Sequence, residues 1–177
     1  ERYDAPDHTA LWAMVETPLA ILDALAIARA SQRLGAIMLG TNDLVKELYA
    51  EHVPGRAPIL PSLHTALLAA RAAGIAIVDG VYNDVKDLEG FTAECLQGRQ
   101  IGFDGKTLIH PGQVEGANQA FAPSEDDVER ARGILQAWED GQGSGVVTYQ
   151  GRMIENLHVE SAQRTLSIHE AVQALGS

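Results

Sequence analysis

The sequence predicts an α/β fold built on a parallel sheet, and three observations lead there. Short unbroken apolar runs alternate with helical stretches, each run is followed by a turn, and each ends at or shortly before an acidic residue. The runs are Ala10–Val15 before Glu16, Ala36–Leu39 before Asp43, Ile75–Val78 before Asp79, and Ile101–Phe103 before Asp104. Unbroken runs of this length suit parallel strands covered on both faces, and helices connect such strands. Carboxylates that follow strands collect at the strands' C-terminal ends, where α/β barrels carry their chemistry.

Ala10–Val15 is the first strand. Thr17-Pro18 starts the helix after it, because proline at the first helical position lacks only an N–H that has no intrahelical partner. That helix runs from Leu19 to Ala30, with its end near Arg33-Leu34-Gly35. The second strand, Ala36–Leu39, passes through Gly40-Thr41-Asn42-Asp43 into a helix carrying Leu44, Val45 and Leu48. After a loop from His52 to Pro61, Ser62–Ala73 holds Leu63, Leu67 and Ala70 at helical spacing, and Gly74 closes it. The third strand, Ile75–Val78, enters Asp79-Gly80, which reads as a turn with Gly80 at positive φ. A helix around Asp87–Leu96 precedes a fourth strand near Gln100–Phe103, and Asp104-Gly105 reads as another turn.

Beyond residue 122 the character changes. Ser124 caps a helix whose first turn is Glu125, Asp126 and Asp127, with Val128, Ala131, Leu135 and Trp138 as its apolar stripe. Gly141-Gln142-Gly143-Ser144-Gly145 reads as a flexible hinge. Val146–Tyr149 and Arg152–Ile154 form a hairpin around Gln150-Gly151, and a last helix runs from about His158 to Leu175. Three segments are expected: 1–122, the strand–helix units; 123–143, a linker helix and hinge; and 144–177, a hairpin–helix lid. An eight-unit barrel takes about 250 residues. Four units with two open edges are therefore either a small open sheet or half of a barrel. The opening Glu-Arg-Tyr-Asp, without Met, fits a fragment or processed product.

Composition narrows the function. The 177 residues are 46% hydrophobic, yet no run approaches the ~20 apolar residues of a membrane span. No signal peptide opens the chain, and the lone Cys95 cannot make an internal disulfide, so a cytoplasmic setting is expected. A net charge of −11 disfavours nucleic acid and anionic membranes. An anionic small substrate needs only a few local bases. There is no Rossmann or P-loop signature and no zinc-ligand spacing.

Glu16 and Asp43, one strand–helix unit apart, fall on adjacent strands. Mg²⁺ is typically held by one or two protein carboxylates, with water and substrate oxygens completing the shell, so this pair is the candidate metal site. The plainer alternative is two acids at helix N-termini. Asp79 is a candidate substrate-facing or supporting group, against the turn reading. Lys106 can meet a phosphate as a point charge. His110, before Pro111, is either a substrate contact or a structural histidine.

Five phrases in this order carry a resemblance: MVETP (Met14–Pro18), LGTNDL (Leu39–Leu44), AARAAGIAIVDGVYND (Ala69–Asp84), GFDGKTLIHPGQ (Gly102–Gln113) and GRMIE (Gly151–Glu155). The chain resembles the CoA-ester lyases of the citrate lyase β-chain and malyl-CoA lyase group, in the HpcH/HpaI aldolase family. The resemblance implies the second half of a TIM barrel plus a C-terminal lid. It also implies that the first half would carry an arginine for the substrate carbonyl and basic residues for the CoA phosphates. A Mg²⁺-dependent carbon–carbon lyase is implied (Mn²⁺ being the alternative ion), splitting a 3-hydroxyacyl-CoA such as a malyl-, citramalyl- or citryl-thioester into an acyl-CoA and a 2-oxoacid. Glu16 and Asp43 match the metal-ligand positions. The resemblance also implies a homo-oligomer, a trimer or hexamer, and this chain alone need not be active.

Glu155 matches the position of the family's proton-transfer acid, which is usually Asp in G-x-M-I-D. One extra methylene moves the carboxylate by about 1 Å, enough to cost on the order of 10²-fold unless the backbone compensates. The alternative is a surface acid on a hairpin, and His158 is expected to cap or pack. Three other functions stay open: a CoA-independent metal-dependent hydroxy-oxoacid aldolase, a malyl-CoA thioesterase, and a non-catalytic fragment or assembly subunit.

Overall fold

The computed structural model describes residues 6, 8–141 and 145–175. The chain divides into two compact units, 1–121 and 122–177.

In the first unit, four parallel strands lie in the order in which they occur in the chain: β1 (Leu11–Val15), β2 (Leu34–Leu39), β3 (Ala76–Asp79) and β4 (Gly105–Lys106). The connecting helices are α1 (Pro18–Leu22), α2 (Ala24–Ala28), α3 (Thr41–Glu47), α4 (Leu60–Ala73) and α5 (Leu88–Ile101), and α6 (Val114–Phe121) follows β4. Right-handed crossovers in a strictly sequential sheet put every helix on the same face. Residues of one parity accordingly face helices: Val15, Ile37, Leu39 and Ile77 join Ile21, Leu44, Leu63, Ala66 and Ala70 in one core. The rows of opposite parity, Trp12↔Ala36↔Ala76 and Met14↔Met38↔Val78, form the other face. There Trp12 is 57% and Met14 48% exposed.

Local signals behave as their chemistry dictates. Thr17 Oγ1 accepts from Ala20 N–H, and Pro18 is the first helical residue. Gly74 ends α4 in the left-handed region at φ 72°. The expected helix from Leu19 to Ala30 is instead two short helices joined at Asp23. The expected strand at Gln100–Phe103 is a correction: α5 continues through Ile101, and Gly102 terminates it at φ 115°. The strand begins three residues later, where Val78 pairs with Gly105. Ile101 and Phe103 are apolar because they pack against the core, and a run this short is compatible with either element.

The second unit contains α7 (Glu125–Asp140), the antiparallel hairpin β5 (Val147–Tyr149) and β6 (Arg152–Ile154), and α8 (Asn156–Leu175). Ser124 and Asp127 form a complete capping box on α7. Gln150 and Gly151 both have positive φ, as a two-residue hairpin turn of right-handed twist requires. Val128, Ala131, Ile154, Val159 and Ala162 are the buried residues. The helix read as a linker thus packs with the hairpin and α8: Tyr149 lies so closely on Gly133 that a Cβ there would come within 2.1 Å of its hydroxyl. Of the expected hinge, 142–144 fall outside the described residues. No helix among the described residues is long and apolar enough to cross a membrane.

Candidate active site

Strand parity decides which carboxylates face which side. Val15 is fully buried on the helix-covered face, so Glu16, the next residue, turns to the open face at the C-terminal end of β1. Gly40 N–H donates to Val15 O at 3.1 Å and extends the ladder past β2, which places Gly40 directly under Glu16. A Cβ at Gly40 would lie 2.4 Å from Glu16 Cβ and 2.5 Å from its Oε2. Position 40 is therefore glycine because the Glu16 side chain occupies the space beside it.

One row further, a Cβ at Gly80 would lie 2.3 Å from Thr41 Oγ1 and 2.9 Å from Leu39 O. Gly80 has no positive φ, so close approach, rather than the expected turn conformation, is what requires glycine here. Buried Thr41 seats the start of α3 against this glycine. Asp43 stands exposed in the first turn of α3. Asn42 and Asn83 exchange two amide hydrogen bonds of 2.9 and 2.8 Å, tying this turn to the loop after β3. Two hard carboxylate donors, one cradled on a glycine and one exposed at the same end of the sheet, have the chemistry a Mg²⁺ ion takes. Gly40→Ala is expected to lower Mg²⁺ affinity in the complete protein by about 10–100-fold without removing a donor. Calorimetric titration checks this, and unchanged affinity would show that Glu16 does not need this placement.

Asp79 behaves differently. It shares the parity of Ile77 and is 0% exposed on the helix side of the sheet. Arg56 Nη1 donates to both of its oxygens, at 2.7 and 2.6 Å, and Lys106 Nζ lies at 3.2 Å. Glu94 completes the group, 2.6 Å from Lys106 Nζ and 3.7 Å from Arg56 Nε. Gln97 accepts from Arg56 Nε and donates to Gly55 O, both at 2.8 Å. Arg56 sits in the left-handed region at φ 57°, a conformation uncommon outside glycine that these side-chain bonds hold in place. Its Nη2 is buried with no hydrogen-bond partner among the described residues.

The substrate-facing readings of Asp79 and Lys106 are corrected accordingly. The side chains of both are fully buried and ion-paired, so Lys106 is not available to a phosphate. Asp104 is also displaced from its expected place: it precedes β4, and its carboxylate accepts from Arg71 and from Ile77 N–H. His110 Nδ1 accepts from Gly112 N–H at 3.0 Å at the turn that begins with Pro111. Sequence reasoning missed Arg56, Glu94 and Gln97. Their only local signal is an arginine in a Pro-Gly loop.

Beside this group is a cavity of about 490 Å³ lined by His52, Arg56, Tyr82, Asp87, Glu94 and others. The Tyr82 hydroxyl is pushed up to about 12, chiefly because it donates to Asp87 and then because it is desolvated. The same bond, with Gly90 N–H, lowers Asp87. Burial pushes the Cys95 thiol up to about 11, which leaves it a packing residue beside Phe91.

In the second unit, Glu155 is half-buried between β6 and α8. Ile154 before it is buried, whereas Met153 is exposed, so only Ile154 anchors the hairpin. Glu155 N–H donates to His158 Nδ1 at 3.0 Å.

The family model that matches residues 2–111 is HpcH/HpaI aldolase/citrate lyase. A (3S)-malyl-CoA thioesterase of Cereibacter sphaeroides is 49% identical over 169 residues, covering 94% of this chain and 59% of that protein. The citrate lyase subunit beta of Escherichia coli is 39% identical over 164 residues, covering 92% and 54%. A solved CitE protein from Mycobacterium tuberculosis, in complex with magnesium, acetoacetate and coenzyme A, superposes with a TM-score of 0.79 at 28% identity, covering 91% of this chain and 61% of that one. The chain thus spans less than two thirds of the length of the relatives it matches.

Proposed function

This chain belongs to the HpcH/HpaI aldolase/citrate lyase family, and on that footing we propose that it is the second half of a barrel enzyme acting on CoA thioesters. The proposed reaction is Mg²⁺-dependent cleavage of a 3-hydroxyacyl-CoA to an acyl-CoA and a 2-oxoacid. The observation that carries the reading is Glu16, seated on Gly40 at the C-terminal end of the sheet and on its open face. That face, with Trp12 and Met14 exposed beside an edge strand that has no further strand partner among the described residues, is suited to cover by four further strands, since such edges otherwise invite association. Magnesium in the CitE complex supports the choice of ion.

Glu16 and Asp43 would hold the cation, which when bound supplies Lewis-acid stabilisation of negative charge on the oxoacid oxygens. Asn42 and Asn83 fix the turn that carries Asp43. Arg56, Asp79, Glu94 and Lys106 clamp β3, β4 and α5 together behind it. Glu155 is the proposed acid that returns a proton to the α-carbon of the acyl-CoA, and the second unit is proposed to act as a lid over an active site of a homo-oligomer.

The test is to assay the complete protein with a malyl thioester and Mg²⁺. Acetyl-CoA plus glyoxylate supports the lyase. A second reading, the thioesterase, is favoured by the name of the 49%-identical relative, and free malate plus CoA would establish it. Glu155→Gln is expected to slow exchange of the acyl-CoA α-proton with solvent by about 10²–10⁴-fold while leaving Mg²⁺ binding intact. Unchanged exchange would return Glu155 to the status of an ordinary surface acid.

A further inference from the structure

We infer that His158 is a positioning residue that fixes the backbone from which the Glu155 carboxylate projects, an inference that rests on the role proposed for Glu155. Glu155 stands where the cap of α8 belongs: its carbonyl accepts from the N–H groups of His158 at 2.9 Å and Val159 at 3.4 Å. A residue in that place ordinarily turns its own side chain onto the free N–H groups of the first turn. A glutamate so engaged would have its oxygens occupied.

Here the contact that is present comes from the third helical residue back to the cap. Glu155 N–H donates to His158 Nδ1 at 3.0 Å, the reciprocal arm of a capping box, with imidazole in the place usually taken by Glu or Gln. Among the described residues the carboxylate of half-buried Glu155 has no hydrogen-bond or ionic partner. Because a backbone N–H can only donate, Nδ1 must present its lone pair, and the ring proton resides on Nε2. Three links then act in series. Buried Ile154 fixes the residue before Glu155, α8 fixes the residue after it, and the His158 bond fixes the peptide N–H of Glu155 itself.

The experiment uses the complete protein, with deuterium exchange into the α-carbon of acetyl-CoA and steady-state turnover as readouts. His158→Ala is expected to lower both by about 10²-fold, the scale of a misplaced reacting group, with Mg²⁺ affinity and thioester KM unchanged. His158→Gln, which can make the same contact to the backbone, is expected to recover most of the loss. Equal exchange and kcat in all three proteins, with only the thermal midpoint moving, would reduce His158 to a structural cap and overturn the inference. Glu155→Gln, measured alongside, separates the two levels. If it keeps full exchange, the proposed acid is wrong; if it loses exchange while His158→Ala keeps it, only the positioning role fails. Nitrogen NMR of the unmodified protein reads the ring directly and needs no variant to fold. A non-protonated Nδ1 at neutral pH is expected, and a proton on Nδ1 would overturn the inference.

Discussion

Glu16→Gln and Asp43→Asn, each made in the complete protein, are expected to remove Mg²⁺-dependent turnover, with a loss of at least about 10³-fold. Lewis-acid stabilisation is worth several kcal/mol, and each 1.36 kcal/mol is tenfold in rate. Neither substitution changes side-chain size, and Asp43 is exposed, so the fold and melting temperature should hold. The measurement is kcat against Mg²⁺ concentration. Recovery of the rate at high Mg²⁺ would mark weakened binding, and retained activity at ordinary Mg²⁺ in either variant would refute the assignment. A structure of the complete enzyme offers a second check. Carboxylates more than about 6–7 Å apart cannot share an ion whose ligands lie at ~2.1 Å.

Asp79→Ala is expected to lose about 3–5 kcal/mol of stability, because it leaves Arg56 and Lys106 buried with only Glu94 to oppose them. That is a large share of the 5–15 kcal/mol that typically separates folded from unfolded chains. The melting temperature is expected to fall by several degrees. Urea unfolding of the complete protein checks it, and a loss below about 1 kcal/mol would mean that water reaches the two cations. The direction of the effect distinguishes this residue from Glu16. Losing Asp79 should cost stability first and activity through it, whereas losing Glu16 should cost activity alone.

Much of the fold is legible in the sequence because its signals are local. Pro18 after Thr17, Gly74 after Ala73, Ser124 three residues before Asp127, and the Gln150-Gly151 turn each act within four residues, and each is found in place. The fourth strand was illegible for an equally physical reason. Ile101–Phe103 is apolar because it meets the core at the end of α5, and nothing within the run tells a buried helix end from a buried strand. The two-residue β4 exists only because β3 is there to pair with it. Arg56 shows the same limit, for its partners Asp79 and Glu94 lie 23 and 38 positions away in the numbering.

By itself the sequence determined that acids follow the strands of a parallel α/β unit, and its motifs point to the family and to Glu16, Asp43 and Glu155. Only the tertiary structure decided which way each acid faces. Side chains alternate along a strand, so a difference of one residue sends a carboxylate to the opposite face. Glu16 falls one residue past the last buried position of β1 and turns to the open side. Asp79 is itself the last residue of β3 and turns under the helices, onto Arg56 and Lys106. That single step of parity separates an acid on the open face from one already ion-paired inside the fold, and it is set by register between strands, which no short stretch of sequence contains.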